Sequence, residues 1–418
     1  MTARTDAGRA PRPVDFVLNP HREDRALFRE PPPGARLARK FHASLPDSAP
    51  TPLVELPQLA RRLGVGAVFV KDESRRLGLE AFKGLGSSWA VARILGQRLG
   101  LAPEALSLTT LRAPDARARL GELTFVSATD GNHGRGLAWA ARLLGHRARI
   151  FMPAGAAVAR VAAIRAQGAE CVVTDLAYDD AVRHAAAHAR ECGGVLVQDT
   201  AWEGYEEIPA WIMEGYGTLA LETAEQLAAR EGPEIWPSHV FLQAGVGSFA
   251  AAVLAALGGA MAAAGASPPR FVSVEPHTAD CVFRSLRAGD EHPRSCPGSL
   301  ETLMAGLSCG EVSTIAWPVL RAGLAGACAC PDELARRGMR LLAHPEGEDR
   351  ALVSGESGAV GAGLLHWLMR GGVQARAPRE LLGLGPEARV LLISTEGATD
   401  PAVWEAATGR AATPQGRR

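Results

Sequence analysis

Short apolar runs alternate along this chain with longer segments in which alanine, leucine and arginine recur at helical spacing. Segments 135–144, 157–167 and 179–191 predict helices of this second kind. Strands alternating with helices indicate βαβ units, and therefore an α/β fold of mostly parallel sheet flanked by helices. The apolar runs predict strands at 67–71, 124–129, 147–153, 171–175, 195–199, 239–244, 271–275 and 390–394.

The spacing of the strands predicts two lobes. The runs that begin near residues 124, 147, 171 and 195 recur at roughly equal intervals, as in one small open sheet. We therefore predict a smaller inserted α/β domain at 91–203 and a larger domain made of 41–90 and 204–406. Residues 1–40 are predicted to be a partly mobile N-terminal extension, and 407–418 a mobile tail. Segment 99–122 reads as an extended polar loop.

Composition narrows the class of protein. Of 418 residues, 47% are hydrophobic and 22% are charged, and 45 basic residues balance 45 acidic ones. A net charge of zero argues against nucleic-acid or anionic-membrane partners. The seven cysteines are odd in number and lack a repeated CxxC pattern, which argues against a metal site or a disulfide framework. The first residues contain no apolar core of a secretory signal, so we predict a cytoplasmic protein.

Segment 240–266 is almost uncharged and is long enough to cross a bilayer. However, Gln243, a glycine loop and Ser248 interrupt it at the point where a strand should give way to a helix. We therefore interpret it as a buried strand, a loop and a core helix.

Lys83 lies between a short apolar run and a glycine-broken segment, 84–89, that is typical of a helix start. The chain has only two other lysines, Lys40 and Lys71. A primary amine in such a setting can form a Schiff base with pyridoxal phosphate (PLP), provided that an anion-binding loop holds the phosphate. The loop Gln-Ala-Gly-Val-Gly-Ser at 243–248 has the small residues and the hydroxyl for this purpose, although a lone GxG is more often only a tight turn.

A second loop, 127–136, also follows a strand and precedes a helix. Its backbone N–H groups can face the α-carboxylate of a substrate, and Asn132 is placed to meet the ring oxygen of the cofactor. The alternative is a glycine turn capped by Asp130 and Asn132. Asp130 and Asp199 both end predicted strands, and they can supply the anion that a second substrate ammonium would need.

These motifs together resemble the fold type II family of PLP enzymes, which includes serine/threonine dehydratases, tryptophan synthase β and cysteine synthases. Within that family the resemblance is strongest to the diaminopropionate ammonia-lyases, and it extends from about residue 70 to about residue 400. The matching segments are 71–79, 129–136, 198–205, 304–311, 355–361 and 394–401.

The resemblance implies a role for each matching residue. Lys83 binds the cofactor, Gly245, Val246, Gly247 and Ser248 hold its phosphate, and Ser394 or Thr395 faces the pyridine nitrogen. Asp130 is the base for one enantiomer of the substrate, the D form, and Lys83 is the base for the other. Asp199 is a second catalytic acid. The implied substrate-binding residues are Thr129, Asp130, His133, Tyr178 and Asp199.

The reaction implied is α,β-elimination of 2,3-diaminopropionate to pyruvate and ammonia by a homodimer. A serine or threonine dehydratase of the same fold, including a D-serine dehydratase, is the alternative, since only the leaving group differs. The apolar residues Trp202, Ile208, Trp211, Ile212 and Met213 could form the dimer contact or belong to the core. One departure from the resemblance is Glu80, where these lyases more often have asparagine.

Overall fold

The computed structural model describes residues 14–22, 28–230 and 235–412. The strands within these ranges are β1 (Asp15–Leu18), β2 (Leu53–Glu55), β3 (Ala67–Asp72), β4 (Thr124–Ala128), β5 (Arg147–Met152), β6 (Glu170–Val173), β7 (Val195–Leu196), β8 (His239–Gln243), β9 (Arg270–Pro276), β10 (Leu324–Cys330) and β11 (Arg389–Ser394). The predicted mobile ends fall partly on 1–13, 23–27 and 413–418, which lie outside the described residues.

The helices cover both sheets. They are α1 (Pro33–His42), α2 (Pro57–Leu63), α3 (Lys83–Leu99), α4 (Leu108–Arg112), α5 (Pro114–Leu120), α6 (Asn132–Leu143), α7 (Val158–Arg165), α8 (Tyr178–Cys192), α9 (Glu207–Ala228), α10 (Ser248–Ala263), α11 (Cys281–Ala288), α12 (Trp317–Gly323), α13 (Asp332–Ala343), α14 (Glu356–Arg370), α15 (Val373–Leu382) and α16 (Pro401–Thr408). Short 3₁₀ turns occur at Arg76–Gly78, Pro103–Ala105 and Ala305–Leu307.

The larger sheet has seven strands in the order β1-β10-β9-β8-β11-β3-β2. Its five central strands run parallel, and β1 and β2 add antiparallel edges. Alternate residues of β11 enter different cores: Val390 and Leu392 join one apolar cluster, and Leu391 and Ile393 join the other. Because side chains alternate across a strand, this sheet is buried on both faces, as the continuous apolar runs predict.

The smaller sheet has four parallel strands in the order β6-β5-β4-β7. All of its strands fall within residues 124–196, inside the predicted inserted domain. Helix α3 packs against α6 of this lobe and against α9. Trp89 and Leu85 of α3 are fully buried. A single continuous helix therefore begins at Lys83 and crosses the predicted boundary at residue 90.

The structure corrects two expectations. Strands β1, β2 and β10 are missing from the sequence prediction, and the sequence of β10, Leu-Ala-Gly-Ala-Cys-Ala-Cys, explains its omission because it contains no β-branched or aromatic residue. The prediction of an extended loop at 99–122 is wrong, since this segment forms α4 and α5. Ser107 accepts a hydrogen bond from the Thr110 N–H to cap α4, Leu111 is fully buried, and Pro114 begins α5.

Segment 240–266 forms the end of β8, a loop and α10. Val240, Leu242, Leu254 and Leu257 are fully buried in the apolar core. Across residues 14–22, 28–230 and 235–412, no helix combines the length and the apolar character needed to span a bilayer.

Candidate active site

A cleft lies where the carboxyl ends of β8 and β11 face those of β4 and β7. This is the position at which parallel α/β sheets bind ligands. Most of the residues predicted for the site line this one cleft: Lys83, Asp130, Asn132, Tyr178, Asp199, Gly245, Val246, Gly247, Ser248 and Thr395.

Lys83 and Asp199 form an ion pair inside the cleft, with the Lys83 amine donating to Asp199 Oδ2. Burial alone would lower the pKa of Lys83, but the Asp199 carboxylate outweighs it and raises that pKa above its usual value. In the same way, burial would raise the pKa of Asp199, but the charge of Lys83 lowers it to about 2. Asp199 is therefore a fixed carboxylate that holds the lysine amine in place.

His133 lies behind this pair and does not line the cleft. Its Nε2 is 2.8 Å from the Val197 carbonyl oxygen, so Nε2 carries the proton and donates it there. Its Nδ1 is 3.9 Å from Asp199 Oδ2. Burial lowers the pKa of His133. With its proton on Nε2, a neutral His133 has no N–H on Nδ1 to donate to Asp199, and its predicted contact with the substrate would be indirect.

Asp130 opens into the cleft with about 24% of its side chain exposed. Its Oδ2 is 3.8 Å from Nη1 of Arg160, whose Nη2 donates to the Glu356 carboxylate. Burial raises the pKa of Asp130, whereas the nearby charges of Arg160 and Lys83 oppose the rise. The two acids therefore differ in the direction of their shift: the pKa of Asp130 is raised overall, whereas that of Asp199 is lowered.

The loop 127–136 is held in shape by Thr129, whose hydroxyl accepts hydrogen bonds from the N–H groups of Gly131 and Gly134 at 2.9 and 3.1 Å. Thr129 is 1% exposed and is absent from the described cleft lining, so it supports the loop and is not placed to contact a ligand directly. Asn132 reaches the cleft and donates to the buried Glu396 carboxylate. Glu396 also accepts the Ser357 N–H at 3.0 Å.

The glycine loop fits a phosphate. Within the described residues, the backbone N–H groups of Gly245, Val246 and Gly247 donate to no other protein group. Gly247 has φ +90°, and a Cβ at that position would lie 2.7 Å from Leu320 Cδ1, so only glycine fits. Helix α10 begins at Ser248 and directs its N-terminus toward the cleft. Unsatisfied N–H groups at a helix N-terminus suit the phosphate of PLP.

The structure separates the two hydroxyl candidates at the end of β11. Thr395 lines the cleft, whereas Ser394 donates its hydroxyl to Ser354 Oγ at 2.8 Å and is missing from the described lining. Thr395 is therefore the hydroxyl available to a ligand.

Sequence reasoning missed several residues of this cleft. Glu396 and Cys309 line the cleft, and Glu356 binds Arg160 beside it. All three fall within the matching segments 304–311, 355–361 and 394–401, and this is the signal that could have identified them. Tyr216 and Phe82 place their rings 5.7 and 5.5 Å from the Lys83 amine.

Tyr178 lines the cleft, and its hydroxyl accepts a hydrogen bond from Gln198 Nε2 at 3.3 Å. Burial raises the pKa of Tyr178 well above its usual value, so it acts as a neutral phenol.

The fold has two parallel sheets, a lysine in the cleft between them and a glycine loop with free N–H groups that suit a phosphate. This combination is typical of enzymes that use PLP. The chain belongs to the family of pyridoxal-phosphate-dependent enzymes, whose sequence pattern matches residues 45–381. The diaminopropionate ammonia-lyase of Salmonella typhimurium is 48% identical to it over 366 residues, which are 87% of this chain and 89% of that relative.

Solved structures agree with this relationship. The diaminopropionate ammonia-lyase of Escherichia coli in complex with D-serine superposes with a TM-score of 0.85 at 43% identity, covering 94% of this chain and 96% of that one. The same enzyme with an aminoacrylate-PLP azomethine reaction intermediate gives a TM-score of 0.84 at 43% identity, covering 95% and 97%.

Proposed function

We propose that this protein eliminates ammonia from 2,3-diaminopropionate with PLP as cofactor and releases pyruvate and a second ammonia. The observation that carries the proposal is the pair of carboxylates, Asp130 and Asp199, in the same cleft as the Lys83 amine. A diamino acid brings a second ammonium group, and burying that cation requires an anion beside it. The 48% identity to a lyase of this name supports the same substrate.

The cofactor would be held by groups already placed around the cleft. Lys83 would bind its aldehyde, residues 245–248 its phosphate, Asn132 its ring oxygen and Thr395 its ring nitrogen. When bound, PLP takes up the electron pair that remains when the substrate loses its α-proton. A neutral hydroxyl from Thr395 makes the ring a weaker electron sink than a carboxylate would, and this favours prompt loss of the β-amine.

The protons are moved by the chain's own groups. Asp130 removes the α-proton of one enantiomer, the D form, and Lys83 removes that of the other. Asp199 stays ionised and orients the lysine amine. The leaving β-amine departs as ammonia once it is protonated, and the Lys83 amine, whose pKa Asp199 raises, is a proton donor within the same cleft. Tyr178 would bind the substrate through its neutral hydroxyl.

Dehydration of D-serine is the second candidate, because the Escherichia coli relative was solved with D-serine bound. The two reactions differ in their products. Elimination from diaminopropionate releases two ammonia molecules per pyruvate, and dehydration of serine releases one. The test is to assay pyruvate and ammonia together with both enantiomers of each substrate. A ratio of two with a higher kcat/KM for diaminopropionate supports the proposal; a higher kcat/KM for serine overturns it.

We also propose a homodimer in the cytoplasm, with the domain division given above. The resemblance supports the dimer, although Trp211 and Ile212 are buried in the subunit's own core and cannot form its contact face. Ile208, Met213 and Trp202 are only partly buried and remain available. The seven cysteines are all unpaired, which fits a reducing compartment. Light scattering at micromolar concentration tests the dimer, and a stable monomer would contradict it.

A further inference from the structure

Arg160 connects the two lobes beside the cleft. It lies on α7 of the smaller lobe, and its guanidinium donates to Glu356, the first residue of α14 in the larger lobe. The side chain of Arg160 is only 6% exposed, and its Nη1 is 3.8 Å from Asp130 Oδ2. A buried cation therefore lies between a carboxylate that it binds and a carboxylate that it approaches without a hydrogen bond.

The loop beside Asp130 is shaped around the stem of this arginine. Gly131 has φ +153°, and a Cβ at that position would lie 2.9 Å from Arg160 Cδ and 3.3 Å from its Cγ. A side chain at residue 131 would therefore push Arg160 away from Asp130. The absence of a side chain there lets the guanidinium approach the neighbouring carboxylate.

We propose that Arg160 is a positioning residue that keeps Asp130 ionised and directed into the cleft as the base for one enantiomer. This inference rests on the proposed function. Glu356 takes the hydrogen bond of the guanidinium, so Asp130 receives the field of a positive charge and keeps its oxygens free to accept a proton. A direct hydrogen bond to the guanidinium would hold Asp130 in its charged form too firmly for a base.

The other charged and titratable groups near Asp130 do not replace Arg160. Lys83 also favours the ionised form of Asp130, but its amine is the group that would bind the cofactor. Glu396 and Asp199 are acids and favour the protonated form. Four further groups interact with Asp130: Tyr178, Tyr216 and Cys309, whose pKa values burial raises, and His133, whose pKa burial lowers. Within the part of the chain that the structure describes, Arg160 is thus the cation that would act on Asp130 in the loaded enzyme.

The experiment compares Arg160→Gln and Arg160→Lys with a matched control, Arg165→Gln. Arg165 is on the same helix but donates to the Cys171 carbonyl, away from the cleft. We expect the acid limb of the kcat/KM profile for the D enantiomer to move upward by about 1–3 pH units in Arg160→Gln, which is the scale of one lost opposite charge. Arg160→Lys should recover at least half of this shift, and the L profile should keep its acid limb.

Both enantiomers share the same ionisations in solution, so a shift confined to D isolates the base. Equal shifts for both enantiomers, or a D profile like that of Arg165→Gln, would overturn the proposal. A second readout needs no turnover: infrared pH-difference spectra, with Asp130→Asn as the subtraction blank, report the protonation of this carboxyl directly. A pKa of Asp130 that is unchanged in Arg160→Gln would overturn the inference. Lack of diaminopropionate turnover by the wild-type protein would instead refute only the proposed function.

Discussion

Two clusters of buried charge, one around Lys71 and one around Lys83, differ in what their polar atoms bind. In the first cluster the Lys71 amine donates to Thr51 O at 2.7 Å, Gln226 Oε1 at 3.0 Å and Glu222 Oε2 at 3.1 Å. Arg76 forms paired hydrogen bonds to both Glu73 and Glu222. Every donor of Lys71 is used by groups of the chain, and we therefore interpret the first cluster as structural.

The second cluster surrounds Lys83 and stays incomplete. Among the residues the structure describes, Ser357 Oγ, Glu356 Oε2 and Arg160 Nε are buried atoms without a hydrogen-bond partner. Buried polar atoms are normally satisfied, so unpaired ones beside a cleft indicate a place that a ligand completes. Burial and charge alone therefore do not identify a catalytic lysine. Lys83 differs from Lys71 because it lines the cleft, whereas Lys71 uses all its donors inside the fold.

The largest expected effect follows replacement of Lys83. Lys83→Arg keeps a cation beside Asp199 but cannot form a Schiff base, so turnover should fall by roughly 10⁴- to 10⁶-fold, the scale of losing a covalent catalyst. Steady-state pyruvate release from purified enzyme measures it. Lys40→Arg is the control and should retain full turnover, because the Lys40 amine lies at the surface and donates to the Glu104 carbonyl oxygen at 3.0 Å. Residual activity near that of the control would refute the role of Lys83.

Asp130→Asn should separate the enantiomers. The change keeps shape and hydrogen bonding but removes proton affinity, so kcat/KM for the D enantiomer should fall by roughly 10²–10⁴-fold, as for a lost general base. The L enantiomer, served by Lys83, should lose much less. Equal losses would assign Asp130 to binding or folding, and no loss would make it a turn cap.

Removing a charge from the first cluster, around Lys71, should lower the stability of the fold. Glu222→Gln leaves Lys71 and Arg76 short of a buried counterion, and we expect a loss of about 3–5 kcal/mol in unfolding free energy. Glu225→Gln is the matched control on the same helix. Its ion pair with Arg39 is 3.1 Å long and half exposed, with exposed fractions of 21% and 61%, so its loss should cost about 1 kcal/mol or less. Denaturant titration measures both variants. Equal losses of unfolding free energy in Glu222→Gln and Glu225→Gln would contradict the structural role of the Lys71 cluster.

That stability should also depend on pH with a defined sign. Burial would raise the pKa of Glu222, but its hydrogen bonds and the charge of Arg76 lower it overall. The contribution is then present above the unfolded value of about 4.3, and it is lost as pH falls through the folded pKa. Glu222→Gln should flatten this acid limb of the stability profile.

The smallest expected effect concerns the turn that leads into Lys83. Glu80 has φ +57°, a left-handed conformation that asparagine adopts more easily than other side chains. Glu80 also pairs with Arg135 at 2.9 Å. Both Glu80→Asn and Glu80→Gln remove that charge. The difference in stability between the two variants therefore reports the cost of the left-handed backbone conformation at residue 80. We expect the Asn variant to be the more stable by about 1 kcal/mol, read from thermal midpoints. Equal thermal midpoints for the Gln and Asn variants would refute the interpretation that Glu80 is strained.

How far the sequence leads depends on how local each signal is. Lys83, the glycine loop at 243–248 and the β-branched strands are encoded within a few residues, and the structure places them as predicted. Strand β10 was not predicted because its alanines, glycine and cysteines have little intrinsic preference for strands. Its pairing with β9 and β1 places it in the sheet. Two hydrogen-bonded pairs were not predicted, Arg160 with Glu356 and Asn132 with Glu396, because the partners are 196 and 264 residues apart in the sequence. No spacing rule joins such pairs; the packing of the two lobes does.

We propose that Lys83, whose side chain is 18% exposed in the cleft, carries the cofactor, and that the fully buried Lys71 does not. Borohydride reduction of the holoenzyme, followed by proteolysis and mass spectrometry, fixes the cofactor to the amine that holds it. We expect a pyridoxyl label on the peptide that contains Lys83 and none on the peptide that contains Lys71. A label on Lys71 or Lys40, or a reduced protein without any label, would contradict it.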